Sequence, residues 1–234
     1  MRVVLVPGFT QTASSWAGVR AVVREVHETF PITVAVHDTF AATAHALGDA
    51  GGTAVYVGYS MGGRLCLRLA LDRPELVRGL VLVSATAGLA DSRERAERVT
   101  SDEQLARSIE RDGVDAFLDR WLAQPMFASV PDDAPGRQDR RTLPAGYLAA
   151  CLRVLGTGAM EPMWDRLHEL QMPVALVTGK DDTKFDRIAG LMLERMGPHA
   201  AHVRLEGGHA VPLEQPAVLG GFVVAFVDQH LGSR

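Results

Sequence analysis

The chain has 234 residues, 47% of them hydrophobic and 22% charged, which is enough apolar material for one sizeable core and argues against a second independent domain. A formal charge of −4 and a pI near 6.1 give no electrostatic basis for binding nucleic acid, so a small molecule is the expected partner. The apolar run at residues 3–6 is too short for a secretory signal, and no later segment reaches the about 18 apolar residues of a membrane helix, so a cytoplasmic protein is expected, with monomer and homodimer both left open.

In chain order, the first strand is predicted at residues 3–6, stopped by Pro7 and Gly8, and a helix at 17–26. A second strand is expected at 32–36, after which 37–43 runs straight into a helix. Residues 54–57 form the third predicted strand, followed by Gly58-Tyr59-Ser60-Met61-Gly62-Gly63 and a helical segment at 62–72. A fourth strand follows at 79–83. Between about 88 and 172 the alternation fails: no convincing strand occurs, 11 arginines and acidic residues occupy polar faces, and Leu105, Ile109, Phe117, Leu118, Trp121 and Leu122 are the expected packing positions. Two prolines and a glycine make 130–136 a loop. Strands at 174–178 and 202–205 and helices at 185–196 and 217–230 complete the chain. Strands apolar on both faces, alternating with helices, imply an α/β fold with a mostly parallel central sheet flanked by helices. The expected organisation is a core of residues 1–87 and 173–234 carrying a helical cap, 88–172, inserted after the fourth or fifth strand. Cys66 and Cys151 are expected as buried, reduced thiols.

The chemistry is expected at the ends of these strands. A serine between two glycines on a strand-to-helix turn is a nucleophile elbow, because a Cβ at either flanking position collides with the turn. Ser60 therefore calls for an imidazole to take its proton and a carboxylate to orient that imidazole. Asp181 and Asp182 follow one predicted strand and His209 follows another, which gives the chain order serine, aspartate, histidine. Either aspartate fits by position, the other being a solvated turn residue or the N-cap of the next helix. Backbone amides must supply the oxyanion hole: Met61 follows the nucleophile, and Phe9 lies in the loop after the first strand. No two histidines have zinc-helix spacing with an adjacent acid, so no metal is expected.

Together these residues resemble the α/β-hydrolase family over essentially the whole chain. The pattern is most similar to one branch, the 2-succinyl-6-hydroxy-2,4-cyclohexadiene-1-carboxylate synthases of menaquinone biosynthesis. The likeness rests on Gly58 to Arg64 at the elbow, Gly88-Leu89, the run Glu94-Arg95-Ala96-Glu97-Arg98 and Ser101-Asp102. It extends to Trp121-Leu122-Ala123-Gln124-Pro125-Met126-Phe127, to Asp182-Thr183-Lys184-Phe185, and to Gly208-His209 with Glu214 and Pro216. The resemblance selects Asp182 as the acid. It implies a cofactor-free lyase that takes a proton from carbon and expels pyruvate from a cyclohexene bearing several carboxylates. It also implies substrate-binding roles for Tyr59, Arg64, Arg98 and Trp121, and for a later arginine, where spacing admits Arg140 or Arg141 and Arg141 is taken. The chain departs from the branch at Pro7-Gly8, at 37–43 and at Ala87-Gly88-Leu89, all near the expected pocket edge. The alternative activity for the same triad is hydrolysis of an ester or a carbon–carbon bond. A catalytically silent binding module would require a broken triad, and all three positions are intact.

Overall fold

The computed structural model describes residues 1–232. Six strands form one parallel sheet: β1 (Arg2–Val6), β2 (Glu28–Pro31), β3 (Ala54–Tyr59), β4 (Val77–Val83), β5 (Val174–Gly179) and β6 (Ala200–Leu205). Their spatial order is β2-β1-β3-β4-β5-β6. The register pairs Val6 with Gly58, Tyr59 with Val83, Val83 with Val177 and Gly179 with Leu205. Because every strand is parallel, these C-terminal ends form one edge, and the loops leaving it meet there.

Alternation along the strands explains the two layers of core. On β3, Tyr56 faces one side with Leu47 of α2 (Phe40–Gly51), Leu65 and Leu69 of α3 (Met61–Asp72) and Met192 of α7 (Thr183–Leu193). Val55 and Val57 face the other side with Val19 and Val23 of α1 (Ala17–Val23) and Leu219, Val223 and Phe226 of the last helix, α8 (Pro216–Leu231). Full burial of side chains of this size stabilises by about 1.5–3 kcal/mol each before entropy is counted. Cys66 and Cys151 are buried and free.

The second strand lies at Glu28–Pro31 and not at 32–36. Ile32 makes the last bond to β1, through Leu5 O at 3.0 Å, and beyond it β1 turns away at Pro7 and offers no further partner. The alternating Ile32, Val34 and Val36 instead pack as a loop over the core, with Val34 buried. A short β-branched run here therefore marks packing positions without a ladder.

Between β4 and β5 the chain is helical: α4 (Ser92–Asp112), α5 (Val114–Leu122) and α6 (Ala145–Leu155), with short 3-10 turns. Asp91 caps α4 by accepting from Glu94 N at 2.8 Å, and Gly113 at φ +87° ends it. Ile109, Phe117, Leu118, Leu148 and Leu152 give this insertion a small core of its own. It is pinned to the sheet region at separate points. Tyr147 Oη donates to Val34 O at 2.8 Å, and Arg166 donates to Asp72 Oδ1 and Leu71 O, both at 2.9 Å. Arg68 and His45 also bond Asp72. Burial raises the Asp72 pKa, but these hydrogen bonds outweigh it and bring the carboxyl down to about 2. Among the described residues, no helix is long and apolar enough to cross a membrane.

Candidate active site

Ser60 occupies the sharp junction of β3 and α3, at φ 51° and ψ −107°. A non-glycine residue there carries strain on the order of 1–3 kcal/mol. The neighbouring glycines make it possible. A Cβ on Gly58 would lie 2.6 Å from Gly62 O, and one on Gly62 would overlap the Val6 and Pro7 carbonyls. Ser60 N donates to Val83 O at 2.9 Å and Ser60 O accepts from Arg64 N at 3.1 Å, which fixes the elbow to β4 and to the first turn of α3.

Asp182 and His209 converge because β5 and β6 are neighbours and Gly179 lets the loop at Gly207 and Gly208 pass against its backbone. His209 Nδ1 lies 2.6 Å from Asp182 Oδ2, with both side chains at most 10% exposed. The other oxygen, Oδ1, accepts from Phe185 N at 3.3 Å and caps α7. The two contacts expected of this pair of aspartates, one with the imidazole and one with a helix N-terminus, are both made by Asp182, while Asp181 is exposed. Holding Nδ1–H on the carboxylate leaves Nε2 as the lone-pair nitrogen. His209 and Ser60 line the same cavity. Among the described residues, no hydrogen bond joins Ser60 Oγ to His209.

Glu214 straps the histidine loop. Its Oε2 accepts from Gly208 N at 2.5 Å and from Ser129 Oγ at 2.8 Å, and its Oε1 accepts from Ala210 N at 2.8 Å. The backbone is thereby held on both sides of His209. The imidazole also packs on Phe185, Tyr59 and Phe127, at centroid separations of 4.5, 5.5 and 6.4 Å. Phe127 and Phe185 stood within sequence motifs that gave them no role, and Glu214 appeared only as a motif letter.

The cavity, of about 390 Å³, lies between the strand ends and the helical insertion. Phe9 and Met61 line it. Among the described residues, no loop, turn or side-chain hydrogen bond uses either amide. The Phe9 ring packs on Phe117 and Trp121 of α5, at 6.0 and 5.3 Å, so its position is set by the insertion. Ser60, Thr10 and Ser84 are the non-glycine residues with positive φ among those described; Ser60 and Ser84 line the cavity, and Thr10 accepts from Arg140 of its lining. Ser84 lines the cavity with its hydroxyl buried and unpartnered, a feature for which the sequence carried no signal.

The cationic lining is uneven. Arg64 is buried and donates to Leu155 O at 2.6 Å; burial and the nearby Arg98 charge lower its pKa to about 10, against a smaller opposing pull from Asp102. Arg98 lines the cavity beside it. Trp121 and Tyr59 also line the cavity, the Trp121 Nε1 buried without a partner and the Tyr59 hydroxyl pushed up chiefly by burial. The expectation for Arg141 is corrected. It sits outside the cavity, half-exposed, paired with Asp115 and Asp119 at 2.7 and 2.6 Å. Arg140 points inward instead: it is 3% exposed, lines the cavity, donates to Thr10 Oγ1 at 3.0 Å and leaves Nε unpartnered. Adjacent residues in the 3-10 turn Asp139–Thr142 point to different sides, and only burial distinguishes them. Among the described residues, no cluster of side chains suits a metal ion.

The sequence profile of the alpha/beta hydrolase family matches residues 3–220. A Bacillus subtilis (strain 168) protein named putative 2-succinyl-6-hydroxy-2,4-cyclohexadiene-1-carboxylate synthase is 37% identical over 176 residues. That alignment covers 73% of this chain and 64% of the relative, just under two thirds of its length. Among solved structures, MenH from S. aureus superposes with a TM-score of 0.91 at 23% identity, covering 98% of this chain and 94% of that one. A malate-bound thermophilic esterase from Thermogutta terrifontis superposes with a TM-score of 0.80 at 19% identity, covering 98% and 90%. At such identities the superpositions establish the fold alone.

Proposed function

This chain belongs to the alpha/beta hydrolase family, and from that premise we propose that it is a cofactor-free carbon–oxygen lyase. It eliminates pyruvate from a carboxylated cyclohexene, acting as a 2-succinyl-6-hydroxy-2,4-cyclohexadiene-1-carboxylate synthase. The observation that carries this reading is the pair of buried guanidiniums, Arg64 and Arg140, which line the cavity of Ser60 and His209 and have no carboxylate partner among the described residues. A buried guanidinium costs desolvation unless an anion meets it, and a ligand with several carboxylates supplies that charge in bidentate contacts. The name of the Bacillus relative supports the same chemistry.

In this reading His209 Nε2 takes the Ser60 hydroxyl proton, and the serine oxygen takes a proton from the ring carbon beside the succinyl carbonyl. The C–H electron pair moves toward that carbonyl oxygen, where the Phe9 and Met61 amides stabilise the developing charge. Collapse of the enolate forms the second ring double bond and breaks the carbon–oxygen bond to the enolpyruvyl group. That group leaves with the electron pair and, protonated from His209, becomes pyruvate. Asp182 keeps the imidazole in the tautomer with a free Nε2 and stabilises its charged form.

The helical insertion acts as the cap of the site, and the protein works in the cytoplasm as a monomer or homodimer. Steady-state pyruvate release, coupled to NADH oxidation by lactate dehydrogenase, tests the assignment. Ser60→Ala is expected to lower kcat by about 10³-fold or more, and Arg64→Ala to act mainly on KM. Turnover of p-nitrophenyl acetate much faster than any pyruvate release assigns the chain to the ester hydrolases instead.

A further inference from the structure

Asp102 is the one acidic side chain lining the cavity among the described residues, and it is out of place in a pocket proposed to bind carboxylates. It lies on α4, 4% exposed. Its Oδ1 accepts from Arg98 Nε, one turn earlier on the same helix, at 2.8 Å. Its Oδ2 is buried with no hydrogen-bond partner. Room for that oxygen is made by Gly156, just after α6, where a Cβ would overlap it. A carboxylate oxygen left without a donor in the interior costs stability. Burial raises the Asp102 carboxyl pKa, and the Arg98 and Arg64 charges offset this only in part.

The geometry of the contact suggests what is gained. An arginine has five N–H donors in a planar fork, and Asp102 engages the one on Nε. Among the described residues Arg98 makes no other hydrogen bond, so both Nη groups remain free beside the cavity. The buried Arg64 guanidinium repels Arg98, and a long side chain held by nothing would swing out to solvent. We propose that Asp102 is a positioning residue: it fixes the Arg98 guanidinium through Nε, so that both Nη groups face a ligand carboxylate beside Arg64. The unpartnered Oδ2 is the stability cost of that arrangement. The inference rests on the proposed carboxylate-binding role of the cavity and deepens it by dividing the labour between the two residues: Arg98 touches the ligand, and Asp102 acts through Arg98.

Calorimetric binding of 2-succinylbenzoate, as a stable dicarboxylate probe, tests the proposal in wild type, Asp102→Ala, Arg98→Ala and the double variant. Asp102→Ala is expected to weaken binding by about 5- to 30-fold, and to add less than about twofold once Arg98 is already alanine. Asp102→Asn keeps the side-chain volume and an oxygen that can still accept from Arg98 Nε, so it should bind the probe more tightly than Asp102→Ala, with a melting temperature close to that of wild type. Under turnover the same variants should raise KM, with kcat within about threefold. Equal losses from Asp102→Ala in the two Arg98 backgrounds, or melting temperatures that fall in step with affinity, overturn the proposal and leave Asp102 as a packing residue between α4 and α6. Unchanged affinity in Asp102→Ala overturns it as well. A wild-type protein that couples Arg98 and Asp102 on 2-succinylbenzoate but releases no pyruvate leaves the positioning role standing and removes the lyase reading. Failure of the wild type to bind the probe removes both.

Discussion

Asp182 carries two loads on two oxygens, and substitution should separate them. Oδ2 holds His209 Nδ1 at 2.6 Å, and Oδ1 caps α7 through Phe185 N at the longer distance of 3.3 Å. In Asp182→Asn the amide oxygen still caps the helix, since asparagine is as good an N-cap as aspartate. The amide nitrogen then faces Nδ1 and donates to it, which puts the imidazole proton on Nε2 and leaves no lone pair there for the Ser60 proton. Turnover is expected to fall by about 10⁴-fold with the structure intact. Asp182→Ala should lose a similar amount of activity and, in addition, the cap. A cap of ordinary strength is worth about 1 kcal/mol, or about 2–4 °C in melting temperature for a domain of this size. The long Phe185 contact places the loss toward the lower end. The assay is kcat from pyruvate release beside calorimetric melting of the three proteins. Retention of more than a tenth of wild-type activity in Asp182→Asn, or equal melting losses in the two variants, would refute the division of roles.

The corrected arginine gives a paired comparison: Arg140→Ala should raise KM by about 10- to 100-fold, whereas Arg141→Ala, which removes exposed ion pairs, should change it less than about twofold in the same steady-state assay. Gly62→Ala forces a Cβ onto the Val6 and Pro7 carbonyls, so it should cost at least about 2 kcal/mol by urea unfolding and abolish the elbow. The Asp72 hub makes an acid-dependent contribution. Its folded pKa, about 2, lies below the ordinary value of 3.8, so the stabilisation is complete above pH 4 and is lost as pH falls through about 2. The gap in urea midpoint between wild type and Asp72→Asn should therefore narrow between pH 6 and pH 2; a constant gap would show that the hub is not ionised as described.

Much of this site was legible because its requirements are local. The glycines around Ser60 answer to one strand-to-helix turn, and any chain making that turn needs them. Asp182 follows the fully buried β5 and His209 the partly exposed edge strand β6, and both segments read as strands, so their arrival at one sheet edge follows from parallel pairing. What stayed hidden depends on partners distant in sequence. Residues 32–36 are β-branched like a strand, but β1 has already ended, and nothing local records that. Arg140 and Arg141 are equivalent to any spacing rule, and only the loop at Thr10 on one side and Asp115 and Asp119 on the other tell them apart. The Glu214 strap needs the fold to bring its carboxylate to two amides and to Ser129, 85 residues away. The double contact of Asp182 has no signature in the sequence, because a carboxylate has one oxygen for the imidazole and one for the helix N-terminus.

The central claim is that Ser60 relays a proton and never carries an acyl group. Its most direct test mixes the wild-type protein with the enolpyruvyl cyclohexene substrate and measures pyruvate, the conjugated diene and the protein's mass in one quenched time course. Pyruvate and diene in equal amounts, with the protein unmodified throughout, is the predicted result. Absence of pyruvate, or a transient mass adduct on Ser60, would contradict it.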